Sequence, residues 1–320
     1  MCQHRGVSSP SITLSKPSAV SSWIAAARPA TLPASTSGVV VGIGAALAVA
    51  PFRPDTALGC LAAALLLQVF ANFANDLSDF HRGADTPDRL GPTRAVATGL
   101  ISPRGMQAGM LVVAVAAGLD GAYLTLVGGP GILGLGIAAA LAALAYTGGP
   151  WPFGYKGLGE LFVFVFFGPV CVAATAFLQA GRVEPLFLLA SIPPGAIAMA
   201  ILVVNNLRDV ETDREAGKRT LAVRFGRRFA RGEYVACLAA AGLVPIVLLG
   251  ARLARTGDAA AGLLAVIPLL ACPPAIGLIH TVLRDGEPRR LNLVLRDTAR
   301  VGLVFGGLFA LGLAAGGWPA

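Results

Sequence analysis

The chain has 320 residues, of which 55% are hydrophobic and only 13% are charged. A soluble domain carries about 25% charged residues, so this composition excludes an ordinary soluble fold and predicts an integral membrane protein whose apolar surface faces the lipid bilayer. The net charge of +8 would suggest nucleic-acid binding in a soluble protein. In a membrane protein, basic residues are expected in loops beside the bilayer, and we expect no nucleic-acid partner.

The chain divides into a short polar segment and a long apolar one. Residues 1–22 are rich in Ser and Pro and lack the apolar stretch of a signal peptide, so we expect a disordered tail there. Residues 23–320 are expected to form a single transmembrane domain. A spanning helix needs about 20 mostly apolar residues. The sequence predicts nine such helices, at 23–49, 57–79, 105–127, 130–147, 158–180, 185–207, 230–251, 259–282 and 298–317.

The distribution of Lys and Arg predicts how these nine spans are oriented, because cytoplasmic loops carry an excess of both residues. If the N-terminus lies in the cytoplasm, 21 of the 25 Lys and Arg residues fall on the cytoplasmic side. We therefore expect a multi-pass protein of the plasma membrane with its N-terminal tail inside and its C-terminus outside. The second and sixth spans then both end at the cytoplasmic face.

Acidic and amide residues cluster at the ends of these same two spans. In the first cluster they recur at i, i+3, i+4 and i+7, which places them on one face of a helix. These residues are Asn72, Asn75, Asp76 and Asp79, and Asp85 follows beyond a glycine. The second cluster has a similar stripe, made of Asn205, Asn206, Asp209 and Asp213.

The two clusters predict a metal and phosphate site. Carboxylates at the C-terminus of a helix oppose the helix dipole and repel one another, so they need cations nearby. Oxygen ligands favour Mg²⁺, which binds through one or two carboxylates while phosphate oxygens complete its shell. Basic residues lie close by in sequence, namely Arg82, Arg89, Arg94, Arg208, Arg214, Lys218 and Arg219. Together these groups predict a membrane enzyme that binds a lipid diphosphate.

Both clusters also resemble known motifs. NDLSDFHRGAD (75–85) resembles the NDxxDxxxGxD motif of the UbiA superfamily of intramembrane prenyltransferases, and NNLRDVETDREAGKR (205–219) resembles its second motif, DxxxD. GPTRAV (91–96) and YTGGPWPFGYKGLGE (146–160) are similar to segments of the 1,4-dihydroxy-2-naphthoate polyprenyltransferases of menaquinone synthesis. The resemblance covers nearly the whole chain after residue 22.

The resemblance implies an all-α fold of nine transmembrane helices around a central cavity. It also implies transfer of a polyprenyl group from polyprenyl diphosphate to 1,4-dihydroxy-2-naphthoate, with loss of CO₂ and diphosphate, giving demethylmenaquinone. Two Mg²⁺ ions would bridge the diphosphate. Their expected ligands are Asn75, Asp76, Asp79 and Asp85 for one ion and Asn205, Asn206, Asp209 and Asp213 for the other.

The resemblance implies functions for further residues as well. The expected catalytic residues are Asp76, Asp79, Asp209 and Asp213. The residues expected to contact a substrate are Arg28, Asn72, Asn75, Arg94, Tyr146, Lys156, Asn205, Arg208, Lys218 and Arg219. Two of these have an alternative explanation, because Arg28 could be a positively charged anchor at the membrane surface and Tyr146 an interfacial aromatic residue.

Other functions are also compatible with the sequence. Within the same superfamily the aromatic acceptor could be 4-hydroxybenzoate or homogentisate. A divalent-cation transporter would also place carboxylates in a membrane protein, but near the bilayer midplane and with pathways to both faces. Here both clusters are predicted at one face, among Arg and Lys residues that would repel a passing cation, so the enzyme is favoured.

Overall fold

A computed structural model describes residues 18–83, 91, 94–284 and 287–318, and these residues form helices joined by short loops. The α-helices are α1 (Ala19–Ala27), α2 (Leu32–Leu47), α3 (Pro54–His81), α4 (Pro103–Gly128), α5 (Pro130–Ala145), α6 (Gly159–Val165), α7 (Ala174–Ala180), α8 (Pro185–Arg208), α9 (Val210–Glu215), α10 (Leu221–Thr256), α11 (Ala259–Ala265), α12 (Cys272–Arg284) and α13 (Pro288–Gly316). Short 3₁₀ turns span Pro29–Thr31, Phe153–Lys156 and Ile267–Ala271, and a π-helical segment spans Phe166–Ala173. Proline begins five of the long helices, at a position where a backbone N–H would have no partner within the helix.

The prediction of an all-α membrane protein is confirmed. In the described part of the chain, eight helical segments are long and apolar enough to cross a membrane, and each corresponds to a predicted span. The remaining predicted span, 130–147, is α5. Its 16 residues make a helix of about 24 Å, which is shorter than the hydrocarbon core of about 30 Å. The eight spans of the described residues, with the shorter α5, are close to the expected count of about nine.

The first predicted span, 23–49, is broken in the structure. Ser18 caps α1, so residues 19–22 are helical and do not belong to the predicted tail. The break lies at Arg28, whose φ of 52° is in the left-handed region that residues with a side chain seldom adopt. Pro29 follows directly and disfavours a helical conformation at the residue before it. Helix resumes at Leu32, and residues 1–17 lie outside the described part of the chain.

The predicted span 158–180 is continuous but locally widened. Pro169 lies within the π-helical segment. Because proline has no N–H and its ring clashes with the carbonyl one turn earlier, a regular α-helix is disrupted there, and the wider turn accommodates the disruption. Side chains of this segment, including Phe166, Phe167 and Val170, line the central cavity.

Helix α8 is the centre of the packed core. It contacts α2, α10, α13 and the π-helical segment. Helix α8 also approaches α6 closely, because a Cβ added at Gly195 would lie only 2.7 Å from the carbonyl oxygen of Phe164. Small residues permit such contacts between helices in a membrane. Helix α8 is therefore firmly held. Its C-terminal end carries Asn205 and Asn206 of the second cluster, Asp209 follows directly, and Asp213 lies on α9.

Candidate active site

A cavity of about 1190 Å³ lies between α2, α3, α4, α5, the π-helical segment and α8. Both predicted clusters contribute to its polar end. The predicted residues that line the cavity are Arg28, Asn75, Asp79, Arg94, Tyr146, Asn205, Asn206, Arg208, Asp209, Asp213 and Lys218. The fold therefore brings the C-terminal ends of α3 and α8, which are far apart in the sequence, to one polar wall.

Asp79 is the most connected carboxylate of this wall. It is fully buried near the end of α3, and it forms an ion pair with Arg94. Its Oδ1 accepts a hydrogen bond from the Tyr155 hydroxyl at 2.8 Å. The Lys218 ammonium lies 3.8 Å from Asp79 and 3.7 Å from Asp213, between the two clusters. Lys218 thus links the carboxylates of both motifs.

The second cluster is organised by Arg208, the last residue of α8. Its guanidinium is 2% exposed and donates to both carboxylate oxygens of Asp209, at 2.5 and 2.7 Å. It also donates to the side-chain oxygens of Asn205 at 2.8 Å and Asn292 at 2.7 Å. This paired geometry is the strongest form of the Arg–carboxylate interaction. Arg208 lines the cavity as predicted, and it also holds the neighbouring ligand groups in place.

Asp76, whose function as a catalytic metal ligand stays a prediction, makes backbone contacts in the structure. It is fully buried, and its two oxygens accept hydrogen bonds from the backbone N–H groups of Ala95 and Val96, at 2.9 and 3.1 Å. Asp76 is not among the described residues that line the cavity. Asp76 and Asp79 are three residues apart on α3. Asp76 binds the backbone next to Arg94, and Asp79 pairs with the Arg94 side chain. These contacts predict a positioning function for Asp76.

The substitution Asp76→Asn tests this function. The amide retains one acceptor oxygen and loses the negative charge, so at least one charge-assisted hydrogen bond to the Ala95–Val96 backbone is lost. Such bonds contribute about 1.5–3 kcal/mol each, and we expect a lower melting temperature for the purified protein in detergent. Asp297→Asn, which alters a carboxylate on α13 that pairs with exposed arginines, is the control. An unchanged melting temperature for Asp76→Asn would contradict the positioning function.

Asn72, which is expected to contact a substrate, is not among the described residues that line the cavity. Its amide donates to the carbonyl of Ala27 at 2.9 Å and to the Thr31 hydroxyl at 3.1 Å. Gln68 completes the network through Thr31. These bonds join α3 to both sides of the break in the first span. Asn72 therefore stabilises the backbone around Arg28, and Arg28 lines the cavity together with neighbouring residues of the break such as Pro29 and Thr31.

Two further predicted residues do not line the cavity in the structure. Lys156 is exposed and lies over the Trp151 ring, 4.9 Å from its centroid. The Arg219 side chain is exposed, and its backbone N–H donates to the Tyr155 carbonyl at 2.8 Å. These two residues belong to loops that pack together beside the polar end. Asp85, the last predicted ligand of the first motif, lies outside the described residues.

Three residues at the polar end were not predicted from the sequence. Tyr155 donates to Asp79, as described above, and Thr147 donates to the Asn75 oxygen at 2.9 Å. Asn292 contacts Arg208 because α13 begins at Pro288, ten residues before the predicted span. Tyr155 and Thr147 lie in the segment 146–160 that carried the family resemblance. That segment could have indicated them, but neither pattern nor spacing distinguished them from their neighbours.

The polar end has the donors that a metal–diphosphate complex needs. In the described part of the chain, no group of three or more His, Cys, Asp or Glu residues is arranged to hold a metal ion without help. The cavity wall instead presents the carboxylates of Asp79, Asp209 and Asp213 with amides beside them. Mg²⁺ accepts this kind of incomplete oxygen site, because phosphate oxygens and water complete its shell. The residues therefore fit Mg²⁺ together with a diphosphate.

The remainder of the cavity is mostly apolar. Along α3 its wall runs from Asp79 to Cys60, a distance of about 28 Å at 1.5 Å per residue. Small residues of α4 and α5 face this region, among them Ala114, Gly121 and Ala140. A long hydrocarbon chain could lie here with its charged end against the two clusters.

Comparison with known proteins gives a consistent result. Residues 37–295 match the UbiA prenyltransferase family. The chain is 40% identical to the 1,4-dihydroxy-2-naphthoate octaprenyltransferase of Mycobacterium tuberculosis, over 92% of this chain and 97% of the relative. It is 36% identical to the Escherichia coli protein of the same name, over 93% and 96%.

Solved structures show the same fold. A UbiA homologue from Archaeoglobus fulgidus bound to GPP and Mg²⁺ has a TM-score of 0.64 at 18% identity, covering 92% of this chain and 99% of the other. The apo structure of a UbiA homologue from Aeropyrum pernix has a TM-score of 0.63 at 19% identity, covering 88% and 96%. The helical arrangement around the cavity is thus shared with these proteins.

Proposed function

Since the chain belongs to the UbiA prenyltransferase family, we propose that it transfers a polyprenyl group from polyprenyl diphosphate to 1,4-dihydroxy-2-naphthoate. The products are the quinol form of demethylmenaquinone, CO₂ and diphosphate. The observation that carries this proposal is the meeting of two aspartate clusters at the polar end of a long apolar cavity. Relatives that carry the name of this reaction match almost the whole chain, which supports the choice of acceptor.

The donor fits the cavity with its diphosphate at the polar end and its hydrocarbon chain along α3. Arg94 and Lys218 provide positive charge at that end, where they can contact phosphate oxygens. Two Mg²⁺ ions, held by Asp79, Asp209, Asp213 and the adjacent amides, would neutralise the charge that develops on the diphosphate as the allylic C–O bond breaks.

The acceptor fits between the diphosphate and the break in the first span. Arg28 reaches the cavity there and can pair with the naphthoate carboxylate, and Tyr146 also lines the cavity. Apolar side chains around the allylic carbon keep water away from the developing cation. The ring carbon that bears the carboxylate then attacks the prenyl cation. CO₂ leaves this carbon, and its bonding electrons restore the aromatic ring.

The orientation of the protein follows from its charges. The described residues beside the polar end include the basic segment from Arg208 to Arg231, and such segments face the cytoplasm. The active site then opens towards the cytoplasmic side of the plasma membrane, with the N-terminus inside and the C-terminus outside. A water-soluble naphthoate and a membrane-bound prenyl donor can both reach a site placed in this way.

The test is product formation in membranes that contain the protein. Supplied with 1,4-dihydroxy-2-naphthoate, labelled polyprenyl diphosphate and Mg²⁺, they are expected to form a prenylated naphthoquinol, and EDTA is expected to abolish its formation. Parallel reactions contain 4-hydroxybenzoate or homogentisate as the acceptor. Product from either of these and none from the naphthoate would contradict the proposed acceptor. No transfer to any aromatic acceptor would contradict prenyl transfer itself.

A further inference from the structure

A buried glutamate lies directly behind the polar wall. Glu160 is the second residue of α6 and is 2% exposed. Its Oε1 accepts a hydrogen bond of 2.7 Å from the side-chain amide nitrogen of Asn206. Its Oε2 is buried and has no hydrogen-bond partner in the described part of the chain. Asn206 lines the cavity, whereas Glu160 is not among the described residues that do so.

This contact determines which end of the Asn206 amide faces the cavity. An ionised carboxylate only accepts hydrogen bonds, so the amide must turn its NH₂ group towards Glu160. The amide oxygen then points away from Glu160. Because only the oxygen can bind a cation, the other orientation would present two N–H groups to a metal ion and repel it.

The energetic cost of Glu160 indicates that it is more than a packing residue. Burying a carboxylate is unfavourable unless it is paired with a cation and its oxygens are hydrogen-bonded. Here one carboxylate oxygen has a single neutral donor and the other has none among the described residues. A neutral glutamine could accept the same hydrogen bond at lower energetic cost. A carboxylate, in addition, polarises the Asn206 amide and makes its oxygen a stronger ligand for a cation. Carboxylates behind metal ligands commonly have this effect.

We propose that Glu160 is a positioning residue that orients and polarises Asn206, so that the Asn206 oxygen can bind the Mg²⁺–diphosphate complex. The inference rests on the proposed function, because it assumes a metal–diphosphate complex at the polar end. Glu160 acts on the reaction through Asn206 and does not touch the substrates. It adds an acidic residue of α6 to the two aspartate clusters that the sequence indicates.

Binding of magnesium pyrophosphate to the purified full-length protein in detergent, measured by calorimetry, tests the proposal. Glu160→Leu removes both the acceptor and the charge, and removing such a supporting partner weakens metal binding by about 10–100-fold. Glu160→Gln keeps an acceptor and is expected to fall between Glu160→Leu and the wild type. Melting temperatures show which variants are folded. Equal affinity of folded Glu160→Leu and wild-type protein for magnesium pyrophosphate would overturn the proposal.

A matched control replaces a different acidic residue nearby. Glu233 lies on α10 and interacts electrostatically with Glu160, and it is not among the described residues that line the cavity. Glu233→Gln is expected to bind magnesium pyrophosphate as the wild type does. A loss of affinity equal to that of Glu160→Gln would mean that general charge matters, and it would overturn the specific function of Glu160.

A paired substitution tests the proposal even if Glu160→Leu does not fold. Asn206→Asp places two carboxylates against each other and is expected to weaken pyrophosphate binding. Adding Glu160→Gln restores a donor–acceptor pair, since the new amide can donate to the new carboxylate at position 206. The double variant is expected to recover affinity at least tenfold over Asn206→Asp alone. No recovery in a folded double variant would overturn the proposal.

Kinetics separate this inference from the proposed function. In the transfer reaction, Glu160→Gln is expected to require more Mg²⁺ for half-maximal rate while the KM for the naphthoate stays unchanged. A shifted affinity for magnesium pyrophosphate in a protein that prenylates no aromatic acceptor would support the function of Glu160 and contradict the proposed reaction. Wild-type protein that fails to bind magnesium pyrophosphate would overturn both.

Discussion

Asp79→Asn is expected to lower the rate of prenyl transfer by about 10²–10³-fold, the loss found when a group that stabilises developing charge is removed. In the structure Asp79 pairs with Arg94, accepts from Tyr155 and lies 3.8 Å from Lys218. The amide of the variant can still accept a hydrogen bond from Tyr155, but it has no negative charge to bind Mg²⁺ or to pair with Arg94 and Lys218. The rate of formation of the prenylated naphthoquinol, at saturating substrates and varied Mg²⁺, measures the effect.

Asp55→Asn is a matched control for this substitution. Asp55 lies at the opposite end of the same helix, is exposed, and also accepts from a tyrosine, Tyr123, at 2.9 Å. It differs from Asp79 in being remote from the polar end of the cavity. We expect Asp55→Asn to transfer prenyl groups at the wild-type rate. If both variants lost activity equally, the effect of Asp79→Asn would arise from the stability of α3 and not from the site.

Much of the fold could be predicted because the membrane imposes strong constraints on sequence. A membrane-spanning helix must be apolar over most of its length, so a long apolar stretch in the sequence indicates each span. The break at Arg28 and the widened turn around Pro169 were not visible in this way. Both depend on backbone geometry inside an apolar stretch, where the residues still look like one helix. The early start of α13 at Pro288 was missed for the opposite reason, because its first turns are polar and lie outside any apolar window.

The predicted site residues lie near one another in the structure, but their individual contacts differ. Helical spacing placed Asn72, Asp76 and Asp79 on one stripe, and the structure confirms that all three lie on α3. Residues on one face of a helix can contact different parts of the protein, however, and only Asp79 of these three lines the cavity. Asp76 binds the backbone of the segment 94–96, and Asn72 binds the broken first span. Periodicity shows which residues share a face, but the contacts of each depend on what tertiary structure brings against it.

Arg208→Met is expected to affect stability and activity together, because the guanidinium donates hydrogen bonds to several side chains of the polar end. Arg208 is 2% exposed and donates to Asp209, Asn205 and Asn292. Removing it leaves the Asp209 carboxylate without its paired cation in a buried site, which typically costs about 3–5 kcal/mol. We expect a marked fall in the melting temperature and loss of prenyl transfer. Arg208→Lys keeps the charge but lacks the paired geometry, so it is expected to be intermediate.

Arg214→Met separates this effect from a general loss of positive charge. Arg214 lies on α9 and pairs with Glu211, with both side chains more than half exposed, so the pair contributes at most about 1 kcal/mol. Its melting temperature is expected to stay close to that of the wild type. If Arg208→Met melted like Arg214→Met yet still lost activity, Arg208 would act mainly by binding phosphate. If Arg208→Met kept both stability and activity, neither function would stand, and the burial of a charged network at the end of α8 would need another explanation.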